Sequence, residues 1–190
     1  VLDTGDQVAI VDLDLAKRMN LALGGEVRVG GAGAATSTGA FVQNATFTLD
    51  GLEGFSQPVR MALPLGKILS PRAGRDFEGI IGEEFIKQFV VEIDYLAQII
   101  KLHDKEKFVY NGSGESIPIS LVHGHPYLEA EVTPVGTTTP LKGKFVFDIG
   151  AGPALALHSP FVAANGLLGP NAKTIRSLGG AGAGGETTGQ

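Results

Sequence analysis

The chain contains no cysteine. This absence excludes disulfide bonds, thiolate metal sites and cysteine nucleophiles together, and it leaves the redox compartment undecided. The sequence also has no apolar run near the roughly 20 residues that a membrane-spanning helix needs, and its start does not have the pattern of a signal peptide. We therefore expect no membrane span within these 190 residues.

Charge is scarce as well. Charged side chains make up 18% of the sequence, with 20 acidic against 15 basic residues and a net charge of -5. No basic cluster alternates with aromatic residues, so nucleic acid is not an expected partner. Hydrophobic residues make up 43% of the chain, which is enough for a folded core. The length suits one sizeable domain or two small lobes that share an interface.

The common ligand-binding motifs are missing or incomplete. No glycine stretch ends in the Gly-Lys-Ser/Thr of a phosphate loop, and no Gly-x-Ser-x-Gly elbow occurs. Gly180, Gly182 and Gly185 have the spacing of a dinucleotide motif, but the helix and the acidic residue about 20 positions further on are missing. His123 and His125 have no third ligand at metal-site spacing, so we interpret them as exposed turn residues and predict neither a metal nor a cofactor.

Hydrophobic periodicity predicts mostly strands, with a few short helices. The charged and glycine-containing residues 103–115 are the best candidate for a connection between two halves of the chain. Predicted strands lie within residues 2–11 (interrupted by a turn), 40–49, 59–65, 90–95, 99–102, 117–122, 127–132 and 144–147, and predicted helical turns within 13–20, 83–89 and 159–165.

Two segments place an aspartate where an apolar strand ends at a glycine. Asp3-Thr4-Gly5 follows Val1-Leu2, and Asp148-Ile149-Gly150 follows an apolar triplet. After each aspartate come an apolar run (8–11 and 154–157), a helix-like segment (13–20 and 159–165) and the string Gly-Gly-Ala-Gly-Ala, which begins at Gly30 and at Gly179. Because the same features occur twice in the same order, we expect a duplicated lobe with both aspartates in one site.

This arrangement resembles the aspartic peptidases, in particular the retropepsin-like bacterial aspartyl proteases of the pepsin-retropepsin superfamily. The resemblance covers nearly the whole chain: the first half carries Asp-Thr-Gly, the glycine string and the apolar pair with glycine, Ile80-Ile81-Gly82. It implies a mostly β, acid-protease-like fold of two tandem retropepsin-like lobes with short helices. The lobes would comprise residues 1–111 and 112–190, and the family's members are often periplasmic or secreted.

The resemblance also implies the residues of the site. Asp3 and Asp148 would be the catalytic dyad that hydrolyses a polypeptide substrate, since two carboxylates within hydrogen-bonding reach share one proton and can act as base and acid. Residues 30–39 and 179–187 would form flaps over the substrate, although 30–39 taken alone is equally well a long hairpin loop. The loop-shaping residues would be Thr4, Gly5, Gly150 and Ala151, and the flap glycines Gly30, Gly31, Gly33, Gly179, Gly180 and Gly182. Ile80, Ile81 and Gly82 would brace the first loop.

Three departures from the family pattern bear on activity. Ile149 cannot return the hydroxyl hydrogen bond that Thr4 would make to the opposite loop. Asp6 stands where a small residue such as Ala151 is usual; it raises the dyad's pKa if it points inward and is a turn carboxylate if it points outward. No apolar pair with glycine follows Gly182, so we expect the second lobe to be truncated at its C-terminus or completed by another molecule, in a monomer or a dimer.

Two other hypotheses stay open at this point. One is a catalytically degenerate relative that binds extended peptides without cleaving them, which Ile149 favours. The other is a purely structural β-domain in which both Asp-Gly pairs are ordinary turns. The separation of the two carboxylates in the fold distinguishes this last hypothesis from the other two.

Overall fold

The computed structural model describes residues 1–169 and 172–189. The protein is mostly β, with 38% strand and 12% helix and no closed barrel in this part of the chain. No helix within the same ranges is long and apolar enough to cross a membrane.

The strands are β1 (Ile10–Asp12), β2 (Ala22–Val29), β3 (Ser37–Gln43), β4 (Thr46–Phe47), β5 (Gln57–Pro58), β6 (Met61–Leu63), β7 (Gly79–Ile80), β8 (Phe89–Asp94), β9 (Ile99–Asp104), β10 (Ser120–Val122), β11 (His125–Val132), β12 (Leu141–Val146), β13 (Ser177–Gly182) and β14 (Gly185–Gly189). The helices are α1 (Leu13–Arg18), α2 (Leu65–Ile68), α3 (Ser70–Ala73), α4 (Glu83–Ile86) and α5 (Ser159–Ala164).

A five-stranded sheet in the order β2-β3-β6-β1-β7 organises the N-terminal part. The short strand β1 lies inside this sheet, parallel to β6 and antiparallel to β7. Its neighbours contribute to a small buried core that includes Ile10, Leu63, Leu65 and Ile80. The segment that follows Asp3 is therefore held on both sides.

Helix α1 begins where the sequence predicts it because Asp12 is its N-cap. The Asp12 carboxylate accepts hydrogen bonds from the backbone N–H groups of Asp14 and Leu15, both at 3.0 Å, which are two of the donors that a helix start leaves unpaired. Its other oxygen accepts from Gly66 N at 3.0 Å and so joins the start of α1 to α2. The helix ends at Arg18, two residues before the predicted end.

The predicted hairpin at 90–95 and 99–102 is confirmed as β8 and β9. The strand prediction for 40–49 is wrong in its middle, because β3 ends at Gln43 and Asn44 takes a left-handed conformation with φ of 54°. The predicted strand 59–65 is also shorter than expected, since only β6 is extended and Leu65 already begins α2.

The C-terminal part contains an antiparallel sheet in the order β10-β11-β12 and the hairpin β13-β14. The predicted helix at 159–165 is confirmed as α5, and Phe161 from this helix packs on Phe145 of β12 with ring centroids 5.9 Å apart. The apolar run 154–157 does not match the structure of its counterpart 8–11: it forms no strand, and Leu155 is 53% exposed whereas Ile10 is 4% exposed. The reason is that, within the described residues, 154–157 have no counterparts of β6 and β7 to pair with.

Candidate active site

The two aspartates occupy the same kind of turn. Gly5 N donates to Asp3 Oδ1 at 2.8 Å, and Gly150 N donates to Asp148 Oδ1 at 2.8 Å. An aspartate that accepts from the backbone two residues later forms an Asx turn. Each carboxylate is therefore oriented by the glycine of its own Asp-x-Gly sequence.

The structure brings these two turns face to face. The carboxyl groups of Asp3 and Asp148 lie close enough to each other to share a proton. Each also lies against the glycine of the opposite turn: a Cβ added to Gly5 would lie 2.6 Å from Oδ2 of Asp148, and one added to Gly150 would overlap the carboxyl of Asp3. Any side chain at either glycine would push the carboxyls apart, so glycine is required here by close approach.

Burial is the main cause that raises the pKa of Asp3 to about 6, and the negative charge of Asp148 is the second. The Gly5 N–H acts in the opposite direction because it stabilises the carboxylate. A carboxyl with this pKa keeps its proton in weakly acidic solution, where a free aspartate has lost it. The pair can therefore hold one proton between two carboxyl groups.

Thr4 connects the two turns. Its Oγ1 donates to Phe147 O at 2.7 Å and accepts from Ile149 N at 3.0 Å. Ile149 has no hydroxyl, so the second turn cannot make the equivalent hydroxyl hydrogen bond to the first turn. Thr4 therefore bonds to the second turn without a bond in return, as the sequence predicts.

The segment Ile80-Ile81-Gly82 braces the first turn. Ile81 lies parallel to Leu2, its carbonyl accepts from Asp3 N at 3.0 Å, and its N–H donates to Val1 O at 2.8 Å. A Cβ on Gly82 would lie 2.6 Å from Asp6 O, so no larger residue fits without a shift of the backbone. The supporting role that the sequence predicts for this segment is confirmed.

The two glycine-rich segments meet at their tips. Gly33 forms a parallel bridge with Gly184, and Ala35 N donates to Gly184 O at 2.8 Å. A Cβ added to Gly31 would lie 3.3 Å from Ala183.

The predicted flap glycines divide into two groups around this contact. Gly31, Gly33 and Gly182 lie at the contact between the tips. Gly30 faces open space, while Gly179 and Gly180 lie along β13 beside Thr187, whose Oγ1 donates to Gly180 O at 3.1 Å. The glycines of each string are therefore not equivalent, although the sequence gives them as one set.

Asp6 is half-buried beside the pair, so neither a fully inward nor a fully outward position describes it. Burial raises its pKa, as does the negative charge of Asp148 to a smaller degree, while the Gln7 N–H and His125 lower it. The side-chain amide of Gln7 donates to the His123 carbonyl and lies 3.3 Å from Nε2 of His125. No local sequence pattern indicates this contact, because its members are far apart in the chain.

The two histidines occupy different positions. His123 is exposed in the turn between β10 and β11, with φ of 51°, as the sequence predicts. His125 is half-buried and begins β11, so its assignment to the exposed turn is wrong. Across residues 1–169 and 172–189, no group of three or more His, Cys, Asp or Glu side chains is placed to hold a metal ion.

Comparison with known proteins adds no family to this geometry. No protein-family model matches the chain. Neither the curated proteins nor the solved structures gave a significant match.

Proposed function

We propose that the protein is an aspartic endopeptidase in which Asp3 and Asp148 activate a water molecule between them. The observation that carries this proposal is the close approach of the two carboxyl groups, each of which lies against the glycine of the opposite turn, although the turns come from distant parts of the chain. The raised pKa of Asp3 supports it, because the reaction needs one carboxyl protonated and the other charged. The proposal includes an acid-protease-like fold of two lobes, residues 1–111 and 112–190.

In this mechanism the charged carboxylate takes a proton from water while the oxygen of that water attacks the peptide carbonyl carbon. The protonated carboxyl donates its proton to the carbonyl oxygen, so that a neutral tetrahedral diol forms without a covalent bond to the enzyme. As the diol collapses and the C–N bond breaks, the protonated carboxyl gives its proton to the departing nitrogen and the charged carboxylate takes the proton of one diol hydroxyl, so the pair again holds one proton. Each carboxyl acts as acid and as base once per cycle.

The paired glycine-rich tips support an extended polypeptide as substrate. Small residues at both tips leave room for a chain to pass close to the backbone. In this proposal the two hairpins close over a bound peptide and exclude water from the reacting groups. Backbone groups of such hairpins would recognise the peptide main chain rather than one particular side chain.

A second candidate function is the binding of extended peptides without cleavage. Ile149 favours it, because the second turn makes no hydroxyl bond in return for that of Thr4, and catalysis needs both carboxyls at a fixed separation. Binding of the inhibitor pepstatin without any peptide hydrolysis would identify this function. Pepstatin binding together with hydrolysis would identify the peptidase.

The dyad is tested by Asp3→Asn and Asp148→Asn, assayed for hydrolysis of an unfolded protein substrate at about pH 4–5. Asparagine keeps an oxygen to accept the glycine N–H but cannot exchange the proton, so we expect turnover below detection and an unchanged far-UV circular dichroism spectrum. Asp14→Asn is the matched control, because this carboxylate is exposed on α1. Full activity in either dyad variant would remove that residue from the mechanism.

A further inference from the structure

The turn between β10 and β11 contacts both active-site turns. From the first turn, the side-chain amide of Gln7 donates a hydrogen bond to the His123 carbonyl. From the strand that leads to the second turn, Phe147 N donates to Pro126 O at 2.8 Å, and Pro126 is buried. The β10-β11 turn is therefore a second connection between the active-site turns, in addition to the Thr4 hydroxyl.

The backbone of this turn is fixed against the Gln7 side chain. His123 and Gly124 have φ of 51° and 80°, and two positive φ angles in succession are what a tight two-residue hairpin loop needs. A Cβ added to Gly124 would lie 3.1 Å from Cγ and Cδ of Gln7. The loop thus packs directly on Gln7 and places the residue that follows it, His125, beside the first active-site turn.

The amide of Gln7 determines the state of the His125 ring. A carbonyl oxygen only accepts hydrogen bonds, so the amide nitrogen of Gln7 is the atom that faces His123 O. The same nitrogen lies 3.3 Å from Nε2 of His125. An amide nitrogen only donates, so Nε2 of His125 accepts and the one proton of the uncharged ring is on Nδ1. The contact between Gln7 and His125 therefore needs an uncharged ring.

A protonated His125 loses this contact and has a different partner. Both ring nitrogens of a charged imidazole carry a hydrogen, so Nε2 can no longer accept from the Gln7 amide. Burial raises the pKa of the neighbouring Asp6, while the Gln7 N–H and the positive charge of His125 lower it. Histidine gains its proton as the solution becomes acidic. In acid, His125 is thus attracted to the Asp6 carboxylate instead of being bonded to Gln7.

The other charged groups around this contact have positions of their own. The two glutamates at the start of α4 are already paired, one with Lys87 at 3.3 Å and the other with Arg60 at 2.9 Å. The His123 ring is exposed. Asp6 is therefore the carboxylate that a charged His125 stabilises. The titratable groups on the surrounding elements are Asp3 and Asp148 of the active-site turns, His123 of the β10-β11 turn, and Glu83 and Glu84 of α4.

We propose that His125 is a positioning residue for the first active-site turn, which it holds through Gln7 while its ring is uncharged and through Asp6 once the ring is protonated. This exchange of partners changes how the β10-β11 turn is connected to the carboxyl pair between neutral and acidic solution. Asp6 transmits the change, because its negative charge adds to burial and to the charge of Asp148 in raising the pKa of Asp3. The exchange itself needs neither substrate nor hydrolysis.

The first experiment reads the position of the ring proton directly. Two-bond ¹H–¹⁵N correlation spectra of the imidazole rings are recorded on the native chain from about pH 5 to 8. We expect the uncharged ring of His125 to carry its proton on Nδ1, and the side-chain amide signals of Gln7 to move at the same midpoint as the ring. The side-chain amide of Gln88, which donates to Gln57 and to Glu84 O, is the control and should not move. A proton on Nε2 of the uncharged ring, or Gln7 signals that do not follow the titration, would overturn the proposal.

A double-mutant cycle measures the same contact through stability. Gln7→Met and His125→Leu each keep the approximate size of the side chain and remove the hydrogen bond. At about pH 7.5 the two substitutions should be non-additive by about fivefold in the unfolding equilibrium constant, as one hydrogen bond predicts, and at about pH 5 this factor should fall to about one or below.

The matched control is the cycle of Gln7→Met with His123→Asn. Asparagine keeps the backbone carbonyl that Gln7 bonds to and tolerates the left-handed conformation of this position, so this cycle should give a factor of about one at both pH values. A His125 coupling that is absent near pH 7.5, or that is the same at both pH values, would refute the exchange of partners.

The contact with Asp6 is tested by carboxyl ¹³C NMR. In His125→Leu, Asp6 should titrate at a higher pH than in the native chain, because the positive charge that lowers its pKa has been removed. Salt at about 1 M should reduce this difference, since it screens the charges. Asp14, which is exposed on α1, is the control carboxyl. An Asp6 titration that is identical in both chains would show that His125 does not act on Asp6.

These measurements are independent of the proposed function, because none of them needs turnover. The exchange of partners without any peptide hydrolysis would support the role of His125 and count against the peptidase. Hydrolysis without the exchange would support the peptidase and overturn the role of His125.

Discussion

The hydroxyl of Thr4 makes two hydrogen bonds between the Asp-x-Gly turns, so its removal tests how the two turns are held together. Thr4→Val keeps the shape and branching of the side chain but loses the bond to Phe147 O at 2.7 Å and the bond from Ile149 N at 3.0 Å. A hydrogen bond of this kind contributes about 1 kcal/mol net, so we expect the free energy of unfolding to fall by about 2 kcal/mol. For a chain of this length that lowers Tm by about 4–8 °C.

The chain has no tryptophan, so far-UV circular dichroism in urea and on heating is the suitable assay. Thr4→Ser is the matched control: it keeps the hydroxyl and loses one methyl group, and we expect it to lie within about 1 kcal/mol of the native chain. If the valine variant unfolds at the native midpoint, the Thr4 hydroxyl does not stabilise the contact between the turns. If serine costs as much as valine, the methyl group of Thr4 contributes as much to stability as its hydroxyl, and the expected dominance of the hydroxyl is refuted.

Three further predictions follow from the same geometry. Hydrolysis should fall as the pH rises through about 6, where Asp3 loses its proton, and a rate that keeps rising past neutrality would contradict the shared proton. Because the folded-state pKa of Asp3 is raised, its contribution to stability is present at low pH and is lost between about pH 4 and 6. Gly82→Ala places a Cβ 2.6 Å from Asp6 O and should lower the free energy of unfolding in urea by about 1–3 kcal/mol. Gly25→Ala is the control: its Cβ meets no atom within 4 Å, and it should lower the free energy of unfolding by less than about 0.5 kcal/mol. Ile149→Thr supplies the missing hydroxyl and should raise both Tm and turnover if it bonds to the backbone of the first turn. Unchanged values of both would show that the Thr4 hydroxyl needs no matching bond from residue 149.

Much of the candidate site could be predicted because its signals are local. Asp3 and Asp148 each precede a glycine at the end of an apolar run, and each forms the Asx turn that such a sequence favours. The role of Ile80-Ile81-Gly82 was predictable from its order in the chain. Gln7 and His125 were not, because their contact depends on how the β10-β11 turn lies against the first active-site turn.

The mismatches between hydrophobic pattern and structure also have a common cause. Residues 154–157 have the apolar pattern of β1 but form no strand, because a strand needs partners and none of the described residues provides them. Residues 40–49 have a strand pattern that Asn44 interrupts with a left-handed backbone conformation. In both places the pattern of hydrophobicity was present, and pairing with other segments decided the outcome.

The sequence by itself determined the turns, the start of α1 at its Asp12 cap and the duplication of the Asp-x-Gly element, since these depend on backbone conformation and contacts within a few residues. Only the tertiary structure decided that each carboxyl lies against the glycine of the opposite turn and that the glycine-rich tips meet at Gly33 and Gly184. Each of these depends on segments far apart in the chain. Their approach is set by the packing of whole sheets, which no local pattern encodes.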